Sequence, residues 1–167
     1  MTARLLLLAA ALASGVDAAG LPPLLIPVDG VPAEALRDTF AEGRAGHRHQ
    51  AIDIAAARGT RVFAVADGVV VKLFASVPGG LTIYQFDSER LHAFYYAHLD
   101  RYADGLREGL TLKRGDLIGY VGSSGNASAA APHLHFAVFV LGPEKQWWKG
   151  EAIDPFAALG GVASKQR

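Results

Sequence analysis

Arg61-Val-Phe-Ala-Val-Ala-Asp67-Gly68-Val-Val-Val-Lys-Leu-Phe-Ala75 decides the fold class. Two runs rich in β-branched and aromatic residues meet at an Asp-Gly pair, a combination that favours strand, tight turn, strand. The same texture recurs over residues 81–86, 91–98, 117–121 and 133–141. Pro78-Gly-Gly80, Asp87-Ser88, Arg114-Gly-Asp116 and Ser123-Ser-Gly-Asn126 separate these runs, and each can adopt the tight or left-handed backbone of a turn. No long amphipathic helix accompanies them, so the apolar faces of sheets must cover one another. The expected fold is mainly β, with antiparallel sheets packed as a sandwich.

Upstream, Leu21-Pro-Pro-Leu-Leu-Ile-Pro27 is too dense in proline for a helix or central strand and reads as an extended lead-in over residues 20–32. Pro32 suits the first turn of a short helix, and Leu36 and Phe40 would share its apolar face. The domain proper is expected over 33–158, with a flexible tail at 159–167. Residues 1–19 combine one positive charge, Arg4, with an unbroken apolar run from Leu5 to Ala13 and small residues near Ala18-Ala19. That is the layout of a cleaved signal peptide, and the run is shorter than the roughly 20 apolar residues a membrane span needs. Export is the expectation, to a periplasm in preference to the medium, as a monomer with no transmembrane anchor in the mature chain.

Lys plus Arg number 16 and Asp plus Glu number 16, without a block of like charge, which argues against a nucleic-acid surface. The chain has no cysteine, so a transition-metal site must draw on His, Asp or Glu. His49-Gln-Ala-Ile-Asp53 sets an imidazole and a carboxylate four residues apart, and His133-Leu-His135 places two imidazoles on one face of a strand, about 7 Å apart at the backbone. His98 ends the aromatic run Phe94-Tyr-Tyr-Ala-His98, where functional side chains often emerge. Taken singly, each has a plain alternative: a surface ion pair, a polar strand face, a structural histidine. His47 and His92 read as exposed or supporting residues; His47 would steady the loop before His49.

In combination these words resemble the lysostaphin-type (LytM-domain) zinc metalloendopeptidases. The likeness runs over residues 38–156: Arg48-His-Gln-Ala-Ile-Asp-Ile-Ala55, Arg58-Gly-Thr-Arg-Val62, Ala64-Val-Ala-Asp-Gly-Val-Val70, Tyr96-Ala-His-Leu99, Lys113-Arg-Gly-Asp-Leu-Ile-Gly119, Val121-Gly-Ser-Ser-Gly125, Pro132-His-Leu-His-Phe136 and Ile153-Asp-Pro155. The resemblance implies a duplicated, hybrid-barrel type of β fold with a groove holding the metal. It implies one zinc ion on His49, Asp53 and His135, three protein ligands with an open position being the catalytic arrangement. It implies His98 and His133 as the proton-handling pair, their roles interchangeable at this point, and the peptide part of peptidoglycan as substrate.

Three positions depart from the family's pattern. Ala51 replaces a frequent glycine, Phe40 stands near where a tyrosine often assists, and Gly79-Gly-Leu-Thr-Ile-Tyr84 lacks a frequent asparagine. Two other readings compete. A non-catalytic module of the same fold, binding wall material or activating another hydrolase, typically lacks metal ligands, whereas all five motif side chains are present here. A biotinyl- or lipoyl-type carrier shares the Val65–Val70 and Lys113–Gly119 words but needs a lysine at a hairpin tip, and Lys72 lies within an apolar run. Arg114-Gly-Asp116 reads as a tight turn only, and Trp147-Trp148 as packing at the domain edge, with a sugar- or peptide-stacking rim as the lesser reading.

Overall fold

A computed structural model describes residues 20–44 and 46–161. The signal-peptide reading of residues 1–19 and most of the expected tail lie outside them. Among the described residues there is no α-helix; eleven strands form instead, β1 (Gly43–Arg44), β2 (His47–Arg48), β3 (Ile52–Ala55), β4 (Arg61–Phe63), β5 (Gly68–Ser76), β6 (Gly80–Asp87), β7 (His92–Tyr102), β8 (Thr111–Leu112), β9 (Leu117–Val121), β10 (His133–Leu141) and β11 (Gly150–Ile153). The expected helix reduces to one 3₁₀ turn, Ala33–Ala35, with Pro32 before it. Asp38 takes the Phe40 N–H on its own carboxylate, a local turn that competes with helix propagation.

All pairings are antiparallel. Nine strands form one continuous sheet in which β11, β10, β7, β6, β5 and β8 are successive neighbours, β3 pairs with β10, and β9 joins β7 to β4; β1 and β2 make a separate hairpin. The packed layers are thus parts of one sheet. The inward residues of β7 and β10, Phe94, Tyr96, Leu134, Phe136 and Val138, are closed over by Val62, Ile118 and Val121 of β4 and β9 in a single core. One polar network is built into it: Tyr96 donates its hydroxyl to Gln85 Oε1 and accepts the Val65 N–H, and the Gln85 amide donates to the Ala66 carbonyl. The Tyr96 hydroxyl and the Gln85 amide each find a partner there, as burial requires.

Residues 20–32, expected to precede the domain, belong to its packed body. Leu21, Leu24 and Val28 are core residues, and backbone bonds tie Leu24 to Ala158, Leu25 to Val65 and Pro27 to Phe63. Proline forbids a central strand here but not an extended strap from which Leu21 and Leu24 reach inward. Leu159, assigned to the tail, is likewise buried.

Asp87 closes the β6–β7 hairpin. Its Oδ1 accepts the N–H groups of Leu91 and His92, and its Oδ2 contacts His92 Nδ1 at 3.0 Å. His92, expected to be exposed or supporting, is thereby part-buried and spoken for. Burial pushes the Asp87 carboxyl up, but the bonds from the His92 ring and backbone and from Leu91 hold it below its ordinary value. A carboxylate with a depressed folded pKa stabilises the fold above its unfolded pKa and loses that contribution as pH falls through the folded value. Asp87→Ala is therefore expected to cost roughly 1–3 kcal/mol at pH 7, read by urea unfolding, with the gap to the parent closing as pH falls through and below the ordinary carboxylate range.

Candidate metal centre

Register places the first elements of the site. Asp53 on β3 lies directly opposite His135 on β10, which lies opposite Ala97 on β7. Residues opposite one another share a face, so the Asp53 and His135 side chains project together, with His133 two residues along β10 on the same face. His49 arrives from the loop before β3, held by its N–H to the Glu42 carbonyl. The outcome is a compact triangle: His49 Nε2 is 3.0 Å from Asp53 Oδ1 and 3.0 Å from His135 Nδ1, and His135 Nδ1 is 3.2 Å from Asp53 Oδ1.

His98 follows Ala97 and in a regular strand would point to the opposite face, into the core. It instead has a φ of 61°, a left-handed conformation uncommon outside glycine, at the point where β7 exchanges β10 for β9 as its neighbour. The reversal returns its ring to the groove, 5.0 Å from the His133 ring and 5.6 Å from the His135 ring. Its N–H donates to the Gly79 carbonyl, and Nδ1 lies 2.9 Å from the Ser124 carbonyl. Ser124 in turn donates to the Leu99 carbonyl and accepts the Leu81 N–H. Gly80 and Gly125 have positive φ, and a side chain on either would collide with the opposing loop, so both glycines are needed for the 78–81 and 123–126 turns to interlock behind His98.

The five histidine and aspartate side chains picked out in the sequence thus line one groove of about 530 Å³, together with Arg44, His47, Pro78, Gly79, Tyr95, Ala97 and residues 126–128. His47 is exposed at its mouth. Phe40 does not line it; the ring packs against the core.

Three supporting residues carry no motif and were not read from the sequence. Thr39 is a buried hub: its carbonyl faces His49 Nδ1 at 3.1 Å, its hydroxyl donates to the Ala51 carbonyl and accepts the Asp53 N–H. Arg44 donates to Asp53 Oδ2 at 3.0 Å while paired with Glu42, which leaves Oδ1 as the oxygen turned to the histidines. Tyr95 forms one wall, its ring 5.9 Å from that of His135.

The donor set suits a cation. Asp53 Oδ1 is buried and accepts no hydrogen bond despite two imidazole nitrogens near 3 Å. With the His49 Nδ1 proton given to Thr39, its Nε2 presents a lone pair to the same point. Burial holds the His49 ring below its ordinary pKa despite the opposing charge of Asp53, so it is neutral at pH 7, the form a metal requires. Burial tends to raise the Asp53 carboxyl, but the contact with the His135 ring and the electrostatic influence of the neighbouring imidazoles hold it below its ordinary value. Tetrahedral zinc with bonds of about 2.0–2.1 Å separates its N and O ligands by roughly 3.3–3.4 Å, close to the edges of this triangle. His49, Asp53 and His135 are the group among the described residues able to hold a metal ion. His98 is also held below the ordinary imidazole value, chiefly by burial, with the Ser124 carbonyl opposing.

An antiparallel β fold with a His–Asp–His cluster at the floor of a histidine-rich groove defines a class of metal-site proteins. Residues 47–155 match the model of Peptidase family M23, and the chain belongs to that family. It is 33% identical over 125 residues to the L-Ala--D-Glu endopeptidase of Bacillus subtilis (strain 168), covering 71% of this chain and 37% of that one. It is 34% identical over 92 residues to the glycyl-glycine endopeptidase ALE-1 of Staphylococcus capitis, covering 54% and 24%. The chain thus spans well under half the length of these relatives. The crystallised catalytic domain of lysostaphin from Staphylococcus simulans superposes with a TM-score of 0.61 at 32% identity, covering 71% of this chain and 84% of that one.

Proposed function

We propose that this chain is a zinc metalloendopeptidase that hydrolyses peptide bonds in the stem peptides or crossbridges of peptidoglycan. The observation that carries the reading is the convergence of His49 Nε2, Asp53 Oδ1 and His135 Nδ1 within 3.2 Å of one another, beside two further histidines. Family membership and relatives named for endopeptidase activity support it. Zinc on these three residues would lower the pKa of water and polarise a carbonyl at neutral pH.

His98 and His133 are wired alike. Each has Nδ1 2.9 Å from a backbone carbonyl, of Ser124 and of Ala131, which fixes the proton on Nδ1 and leaves Nε2 to exchange one. Hydrolysis removes one proton from the attacking water and delivers one to the departing amine, so two imidazoles poised at Nε2 on the same groove supply both transfers. Arg44 and Thr39 hold the Asp53 carboxylate and the His49 ring in register through the cycle. The same reading places the chain outside the cytoplasm, on the signal-peptide pattern of residues 1–19, acting as a monomer; no helix among the described residues is long and apolar enough to cross a membrane.

Incubating the purified protein with intact peptidoglycan should release new amino termini, identified by mass spectrometry, and a chelator should abolish release until zinc is restored. Binding to peptidoglycan without any metal-dependent cleavage would sink the enzyme and leave a non-catalytic wall-binding module.

A further inference from the structure

The outer face of the sheet carries an aromatic lane that begins at the metal cluster and that hydrolysis does not use. From the His135 ring it passes to Tyr95 at 5.9 Å, to Tyr84 at 4.7 Å, to Trp147 at 4.9 Å, and on to Trp148 at 5.3 Å. Strand alternation explains its first part: Tyr95 and His135 are outward on β7 and β10, and Tyr84 pairs with Tyr95 across β6 and β7. The segment between β10 and β11 then folds back over the face and lays Trp147 on Tyr84 and Phe74. Trp147 is part-buried among its neighbours, which packing accounts for. Trp148 is different, with 63% of its surface exposed beside a shallow cavity shared with Tyr84, Phe139, Trp147 and Lys149. Its edge-on contact with Trp147 accounts for only part of the ring, and the rest is open to solvent at the end of a lane that starts at the candidate metal centre.

We infer that this lane is a carbohydrate subsite that holds the glycan strand while its attached peptide enters the groove at His49, Asp53 and His135. A pyranose ring has an apolar face of C–H groups and a rim of hydroxyl and acetamido groups. It therefore fits against an exposed aromatic ring with polar groups beside it, as at Trp148. Such groups are present: Lys149 lines the cavity beside Trp148, and Glu144 and Gln146 join it in an adjoining cavity of about 550 Å³. Mixed charges and an amide suit neutral sugar hydroxyls and disfavour a polyanion. An extended peptide is a poorer match, because a sheet face offers side chains rather than the unpaired backbone groups that strand addition needs. That the glycan is the one bearing the cleaved peptide rests on the function proposed above.

The chain contains two tryptophans, Trp147 and Trp148, so intrinsic tryptophan emission of the intact protein reports this lane. Titration with an N-acetylglucosamine oligomer is expected to change that emission saturably, equally with and without chelator. Trp148→Ala should weaken sugar binding about tenfold by calorimetry, and Trp148→Phe should restore most of it. Absence of saturable binding, response to a free stem pentapeptide but not to the sugar, or unchanged affinity in Trp148→Ala would each overturn the subsite. Binding is read separately from hydrolysis: sugar binding without peptidase activity defeats the enzyme and keeps the subsite, and peptidase activity without sugar binding does the reverse.

Discussion

His49→Ala is expected to reduce bound zinc from about one ion per chain to background, measured by elemental analysis after dialysis, and with it all chelator-sensitive cleavage of peptidoglycan. The size of the effect follows from the triangle. His49 Nε2 makes two of its three edges, both 3.0 Å, and its Nδ1 bond to Thr39 is what aims that lone pair. Without the ring, Asp53 Oδ1 and His135 Nδ1 remain as a two-point site, partly open to solvent. The same variant separates metal loss from unfolding. Zinc held by these three residues would bind the folded state alone, so it should raise the parent's midpoint of thermal unfolding in proportion to the logarithm of free zinc and leave that of His49→Ala unmoved. A variant that still titrates to one zinc with near-parental affinity would show that the ligand set is wrong.

That cluster was legible in the sequence to the extent that its members sit in short, ordered words. His133 and His135 are two apart on one strand, so alternation brings that pair to a common face, whereas His49, four residues before Asp53, reaches it from the loop before β3. Strand pairing between β3 and β10 then unites the pairs. What stayed hidden is whatever acts across long separations without a motif. Thr39 reaches Asp53 and His49 through a hydroxyl and a carbonyl that nothing nearby marks as special. Ser124 holds His98 from 26 residues away, and Arg44 chooses the oxygen that Asp53 presents. For the fold, the strand runs were visible because alternation and turn residues are local signals. The proline-rich strap was misplaced outside the domain because proline composition reports which backbone shapes are forbidden, not which apolar side chains find a core. The expected helix at Pro32 failed for a related reason, since the Asp38 side chain offers the backbone a competing partner.

The second large effect separates proton transfer from metal binding. His133→Ala is expected to keep most of the zinc and to lose about 10²–10⁴-fold in kcat/KM. Its Nε2 is 3.7 Å from Asp53 Oδ1, outside hydrogen-bonding range, so removal strips no partner from the ligand set. The matching change at His98 needs more care, because that residue holds a φ of 61° and its ring is tied to Ser124. Asparagine tolerates the left-handed backbone and can still donate to the Ser124 carbonyl, so His98→Asn removes the proton-exchanging nitrogen while preserving the turn. A comparable rate loss with zinc retained is expected there as well. If both imidazoles serve one reaction, the double variant should be scarcely slower than either single one, since groups that act as a unit are not additive. Zinc loss in His133→Ala equal to that in His49→Ala would mean that His133 is a ligand and that His135, the residue in register with Asp53, is not.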